Sequence, residues 1–364
     1  QQNYEKAFNE YNRAVNLKPE DFDAHLNFAR ALQQAGQAEK AIREYEAALK
    51  IKPDSGEALA ALASLYMQKG EDAKAAELYE KAAQAGEDTP DVQIGWGTAL
   101  YNLGKAQDAL PHLQAGVQKD PNRFEGWYNL ALALGATGKL APDDLDPAKQ
   151  PTDEEALQWA VYAYKKALSI NPNDANALNN CGWVFLQKGK IDEAIEQFKA
   201  AAQANPNMEI AQVNLAVALE KAGRIEEAFA QWKKAAEKFP DSAPAHLGLA
   251  NIYYDRGDDT NALREYLRAL ALAPDNPEAH NNAGLIYLRL NNITEAMAHF
   301  REALRLNPKF VYALNNLGVA YERQGNRDMA IMQYKKALQI DPNYAPAKKN
   351  LERLQGSGEE RATG

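Results

Sequence analysis

Apolar residues recur in this chain at spacings of three and four, in short bursts divided by glycine and proline. Between Ala175 and Met208, Leu178, Cys181, Gly182 and Phe185 lie at helical spacing until Gly189 interrupts them. Ala194, Phe198 and Ala201 then form a second stripe, which Asn205-Pro206 ends. Such spacings predict two amphipathic helices. Gly189 suits the left-handed residue just past a helix C-terminus, and Pro206 stops the second helix.

The same unit repeats. Ala7, Ala41, Ala75 and Ala109 are 34 residues apart, as are Ala160, Ala194, Ala228, Ala262, Ala296 and Ala330. A fixed period of this length predicts stacked helix pairs, each packing on its neighbours, instead of one globular core. Nine full units start at Phe22, Gly56, Pro90, Phe124, Ala175, Glu209, Ala243, Pro277 and Val311, filling residues 22–344. The helix stop is Gly in eight of the nine and Asn291 in the other. Residues 1–19 hold only a second helix, whose Ala7, Tyr11 and Ala14 await a first helix that is missing. Residues 345–355 read as a capping helix with Lys348 and Glu352 at core positions, and residues 356–364 as a flexible tail. The interval from Ala109 to Ala160 is 51 residues. It marks an acidic insertion at about 139–158, with Pro142, Pro147, Pro151, Asp143, Asp144 and Asp146, followed by a longer second helix. The third unit carries Gly95, Gly97, Pro111 and Gly116 inside its helices. Gly costs about 1 kcal/mol in a helix interior and Pro about 3, so a soft joint kinked near Pro111 is expected there.

In phase with the period run a small residue (Ala29, Ala63, Gly97, Ala131, Gly182, Ala216, Ala250, Gly284, Gly318), a ring (Tyr11, Tyr45, Tyr79, Tyr164, Phe198, Trp232, Tyr266, Phe300, Tyr334) and a closing proline. Leu113 and Glu87 are the exceptions to ring and proline. This pattern resembles the tetratricopeptide repeat (TPR) family over nearly the whole chain. The resemblance implies an all-α, right-handed superhelical solenoid of antiparallel helix pairs, whose first helices line an inner wall that binds protein segments.

Composition narrows the chemistry. The 41 basic and 50 acidic residues give a net charge of −9, which argues against a nucleic-acid binder. A single cysteine, Cys181, excludes an intrachain disulfide; its core position reads as an inert buried thiol. No apolar run approaches the length of a membrane span. His25, His246 and His280 share one internal position of first helices, while His112 and His299 are expected in solvent. No set has zinc-ligand spacing, no carboxylates pair in a cleft as acid and base, and no phosphate loop appears. An active site and a cofactor are therefore not expected. The chain does not begin with Met, and a preceding segment that tethers it is an open expectation, in the cytoplasm or at a cell envelope.

On the wall implied by the resemblance, the place two residues before each small site is Asn27, Asn129, Asn180, Asn214, Asn282 and Asn316 in six units; Ala61, Gly95 and Gly248 fill the others. A carboxamide both donates and accepts, matching one peptide unit, and the column resembles the asparagine ladder of O-GlcNAc transferases. In the middle units the wall turns apolar: Tyr128, Leu132, Trp183, Leu186, Val213 and Val217. Trp183 stands where other units have Arg30, Ser64, Thr98, Val217, Asn251, Leu285 or Val319, so the framework requires no ring there. The carboxylate clamp of chaperone-binding TPR domains needs an inward Lys that no unit supplies. The leading expectation is a non-catalytic scaffold holding a partner segment near Trp183. The alternatives are the recruitment region of a larger enzyme such as a glycosyltransferase, and an architectural subunit, of a membrane or envelope assembly, that associates through its N-terminal half unit.

Overall fold

The computed structural model describes residues 2–137 and 153–362, and the described residues are all-helical with no strand. The chain divides into two compact units, Gln1–Ala204 and Asn205–Gly364.

The first unit opens with α1 (Gln2–Leu17). Helix pairs follow: α2 (Phe22–Gln34) with α3 (Ala38–Ile51), α4 (Gly56–Gln68) with α5 (Asp72–Gln84), α6 (Pro90–Asn102) with α7 (Ala106–Lys119), α8 (Phe124–Thr137) with α9 (Asp153–Ile170), and α10 (Ala175–Gln187) with α11 (Ile191–Ala204). The second unit continues with α12 (Glu209–Lys221) and α13 (Ile225–Lys238), α14 (Ala243–Asp255) and α15 (Asp259–Leu272), α16 (Pro277–Arg289) and α17 (Ile293–Leu306), α18 (Val311–Arg323) and α19 (Arg327–Ile340), and ends in α20 (Ala345–Ala362). Within each unit every helix packs on the next, and first helices also meet one another in the pairs α4 with α6, α6 with α8, α12 with α14 and α16 with α18. This is a solenoid of antiparallel helix pairs.

The helix boundaries follow local chemistry. Asp21, Ser55, Thr89, Asp174, Ser242 and Asn276 cap first helices, each side chain accepting a backbone N–H three residues on. First helices end in a left-handed residue, for example Gly189 at φ 70° and Asn291 at φ 61°. There the next N–H returns five residues to a carbonyl, Lys190 to Phe185 at 2.9 Å and Asn292 to Tyr287 at 2.8 Å. Gly138, the equivalent residue of the fourth unit, and the acidic insertion through Thr152 lie outside the described residues. The helix that follows, α9, has 18 residues where most of its siblings have 14.

One expectation, at the C-terminus, is corrected, and the helices of the third repeat are unbroken. Helix α7 is continuous across Pro111, and the glycines are points of close packing. A Cβ on Gly97 would stand 2.5 Å from Leu113 Cγ, and one on Gly116 2.5 Å from Ile94 Cγ1. The neighbouring side chains fill the space that the missing methyl groups leave, which offsets the helix-propensity cost. At the other end, α20 does not stop at Gln355 but runs through Gly356-Ser357-Gly358 to Ala362. Two glycines cost about 2 kcal/mol of propensity, and the good helix formers Glu359, Glu360, Arg361 and Ala362 follow them. Lys348 and Glu352 are exposed, and Ala347 and Leu354 are buried. At the start, Ala7 and Tyr11 are half-buried and Ala14 is exposed, whereas their equivalents Ala41, Tyr45 and Ala48 are at most 1% exposed.

Candidate functional site

The ring of each second helix organises the first-helix face. It packs on the small residue of its own repeat: Cβ atoms placed on Gly182, Gly284 and Gly318 would stand 2.8 Å, 2.7 Å and 2.5 Å from atoms of Phe198, Phe300 and Tyr334. A larger ring also reaches the column position of the following repeat. The Tyr266 hydroxyl accepts from Asn282 Nδ2 at 3.1 Å. At Gly95 a Cβ would lie 2.5 Å from the Tyr79 hydroxyl, and at Gly248 2.5 Å from Trp232 Cδ2. The two glycines that interrupt the asparagine column are therefore the places where a tyrosine or tryptophan tip occupies the side-chain space. That link was not legible beforehand, because it joins residues sixteen positions apart on different repeats.

The asparagines form internal networks. In the first unit, Asn129 donates to Thr98 Oγ1 at 2.7 Å, and Asn180 donates to the Tyr128 hydroxyl at 3.2 Å while accepting from Asn179. Asn27 is exposed, within 3.4 Å of an Arg30 nitrogen. In the second unit one directed series runs from repeat to repeat. Asn350 donates to Asn315, Asn315 to Asn316, Asn316 to Asn281, Asn281 to Asn282, Asn282 to Tyr266, and Tyr266 to Asn251. Half-buried Asn282 and Asn316 each commit one N–H and one lone pair to this series, which leaves one of each for another molecule. Asn214 is also half-buried.

The apolar positions divide. Trp183 is 48% exposed. Leu132 and Leu186 in the first unit and Val217 in the second are half-buried. Val213 is 8% exposed, so it is a packing residue more than a contact surface. Tyr128 stacks on Phe124 at 5.5 Å and meets Tyr164 edge-on at 6.1 Å; burial raises its pKa.

Two wall grooves are present. In the first unit, Ala60, Ala61, Ser64, Ile94, Gly95, Thr98 and Asn129 line a groove of about 560 Å³ with Glu57, Glu87, Asp91, Arg123 and Glu125. In the second, Glu220, Asn251, Tyr254, Asp255, Tyr266 and Asn282 line one of about 740 Å³. Residues 64, 98 and 251 are the repeat equivalents of Trp183, which places position 183 in the row that faces these grooves. A third groove, of about 420 Å³, lies among α7, α8 and α9 and is lined by Trp127, Trp159 and Tyr162. Trp127 stands at the histidine position of other repeats; that substitution was the available signal for this groove.

The histidines are structural. His25 and His246 each place one ring nitrogen 2.6–2.7 Å from a carboxylate, Glu44 or Glu265, and the other 3.1 Å from the carbonyl of Pro19 or Pro240. His280 repeats the carbonyl contact with Pro274, and its other nitrogen faces His299 Nδ1 at 3.0 Å. His112 and His299, expected in solvent, are half-buried; His112 bonds Gln93 at 2.9 Å and stacks on Trp96 at 3.7 Å. Their partners lie nineteen residues away on the facing helix, beyond the reach of local pattern. Burial pushes the Cys181 thiol up to about 12, which makes it inert. Among the described residues no three metal-ligating side chains gather, and no helix is long and apolar enough to cross a membrane.

Comparison with known proteins follows the same periodicity. Tetratricopeptide repeat models match residues 24–140, 185–231 and 311–344, and a TPR repeat model matches residues 1–36, 153–189, 250–291 and 284–325. The chain belongs to the tetratricopeptide repeat family. A TPR repeat-containing protein of Pseudomonas aeruginosa is 32% identical over 82 residues, 22% of this chain and 73% of that protein. Among solved structures, the TPR protein YrrB is 24% identical, covering 55% of this chain and 95% of its own, with a TM-score of 0.47. MamA is 26% identical over 47% of this chain and 93% of its own, with a TM-score of 0.42. Yeast Tom70 is 16% identical over 99% of this chain and 93% of its own, also at 0.42. Membership in this family makes the chain a protein-interaction scaffold in the general sense.

Proposed function

We propose that this TPR chain is a non-catalytic scaffold or assembly factor that holds a segment of a partner protein against its first-helix wall. The observation that carries this reading is Trp183, a tryptophan 48% exposed in the row whose equivalents line the wall grooves. Tryptophan is among the residue types enriched at interface hot spots, where truncation costs roughly 2 kcal/mol or more. In the second unit, half-buried Asn282 and Asn316 each keep a donor and an acceptor that can hold a backbone without reading its sequence. Trp183→Ala, with partners recovered from the native cell by affinity purification, tests the reading. Selective loss of one partner with the fold intact supports it; undiminished recovery refutes it.

A second reading has its own observation. The stripe of Ala7, Tyr11 and Ala14 is more open to solvent than in any described sibling repeat, and open apolar stripes favour association. Sedimentation of the chain across a concentration series checks it: a monomer throughout rules out self-association.

A further inference from the structure

The groove in the first unit exists because two successive column positions, Ala61 and Gly95, carry no long side chain. Small hydroxyls at Ser64 and Thr98 extend the space, and the Tyr79 hydroxyl reaches the floor beneath Gly95. Burial pushes the Tyr79 pKa up to about 12, so the floor offers a neutral O–H. The lining carries a net negative charge: Glu57, Glu87, Asp91 and Glu125 against Arg123. Arg123 pairs with Asp91, and Arg30 pairs with Glu57. Glu87 and Glu125 have no basic partner among the described residues. The second unit's groove has the same sign by separate residues: Glu220, Glu226 and Asp255 against Arg256, with Arg256 paired to Glu226 at 2.7 Å. Carboxylates around a concavity with low-dielectric walls focus their field into it.

We propose that the groove over Ala61 and Gly95 takes a lysine or arginine side chain of the partner, so that the wall selects a basic segment. This rests on the scaffold reading and adds the chemistry of the partner. The floor hydroxyls and the Asn129 amide accept hydrogen bonds from the cationic head, while Glu87 and Glu125 supply its counter-charge. Such charges set specificity and association rate more than affinity, and they weaken as salt rises.

The test uses the full chain and three fluorescein-labelled dodecapeptides, a Lys-Ala-Asn repeat and its Lys→Gln and Lys→Glu counterparts, read by fluorescence polarisation. The lysine peptide is expected to bind tightest, with its advantage shrinking as salt is added. Glu87→Gln with Glu125→Gln should weaken it about fivefold to tenfold, the size of two solvent-facing ion pairs, and leave the glutamine peptide unchanged. A control pair, Glu196→Gln with Glu237→Gln on second helices, should have no effect. Equal binding of the lysine and glutamine peptides, or an equal loss in the control pair, overturns the proposal. Neither result touches the Trp183 experiment, so failure of the basic preference is separable from failure of the scaffold reading.

Discussion

The packing of Trp232 over Gly248 gives the sharpest quantitative expectation. A Cβ at position 248 would stand 2.5 Å from Trp232 Cδ2 and 2.6 Å from Cζ2, distances that real methyl groups do not tolerate. The indole cannot swing away freely, because it is 3% exposed and its Nε1 donates to Glu220 at 2.7 Å. Gly248→Ala therefore overpacks the site, and with the indole held in place it should cost about 2–3 kcal/mol, the upper part of the usual range. The gain in helix propensity returns about 1 kcal/mol, so the net loss is expected near 1–2 kcal/mol. Trp232→Phe alone also destabilises, through lost burial and an unpartnered Glu220. The two changes together should cost less than their sum, since phenylalanine precedes an occupied column position elsewhere in this unit (Phe300 before Asn316). Urea unfolding followed by circular dichroism on the four chains of this cycle gives the coupling, expected at about 1 kcal/mol or more. Because a repeat array need not unfold in one step, hydrogen exchange over α13 and α14 should localise the effect. Additive losses, or a neutral Gly248→Ala, would refute the claim that the Trp232 ring requires glycine at position 248.

Other expectations follow from the same geometry. Burial, and then the neighbouring His280, hold the His299 imidazole below its ordinary value. The folded chain thus binds fewer protons there than the unfolded one, so stability should be full above about pH 6.5 and fall as pH drops below it. His299→Gln should flatten that fall in thermal melts taken from pH 8 to pH 5. Asn281→Ala removes a 5%-exposed amide that links Asn316 to Asn282, and should cost about 1–3 kcal/mol, measured by denaturant unfolding. Cys181 should resist thiol reagents in the native chain and react at once in denaturant; rapid native labelling would contradict its burial.

The fold was legible almost to the residue. Helix ends are written locally, by Gly189 and its equivalents, by the caps at Asp21, Ser55 and Thr89, and by the period itself. Contacts between repeats were less legible. Sequence shows Gly95 and Gly248 as gaps in a column, but a glycine's role is set by whichever ring reaches it, and that ring lies sixteen residues earlier. His112 and His299 looked exposed for the same reason: Gln93 and His280 lie across the helix pair. The candidate wall was visible as a row of positions, yet its asparagines turned out to be joined to one another and to tyrosines. Val213 shows the limit of position alone, since an apolar residue in the wall row can still be buried. The aromatic groove around Trp127, Trp159 and Tyr162 went unread, because two of its three rings sit on a helix that departs from the common length.

The central claim is that partners meet the first-helix wall at Trp183 and not the outer helices. A photo-crosslinking amino acid placed at position 183 and, separately, at Lys199 on a second helix, irradiated in the native cell, tests it most directly. A partner adduct at 183 and none at 199 is the predicted result; adducts at 199 alone, or equally at both, would contradict it.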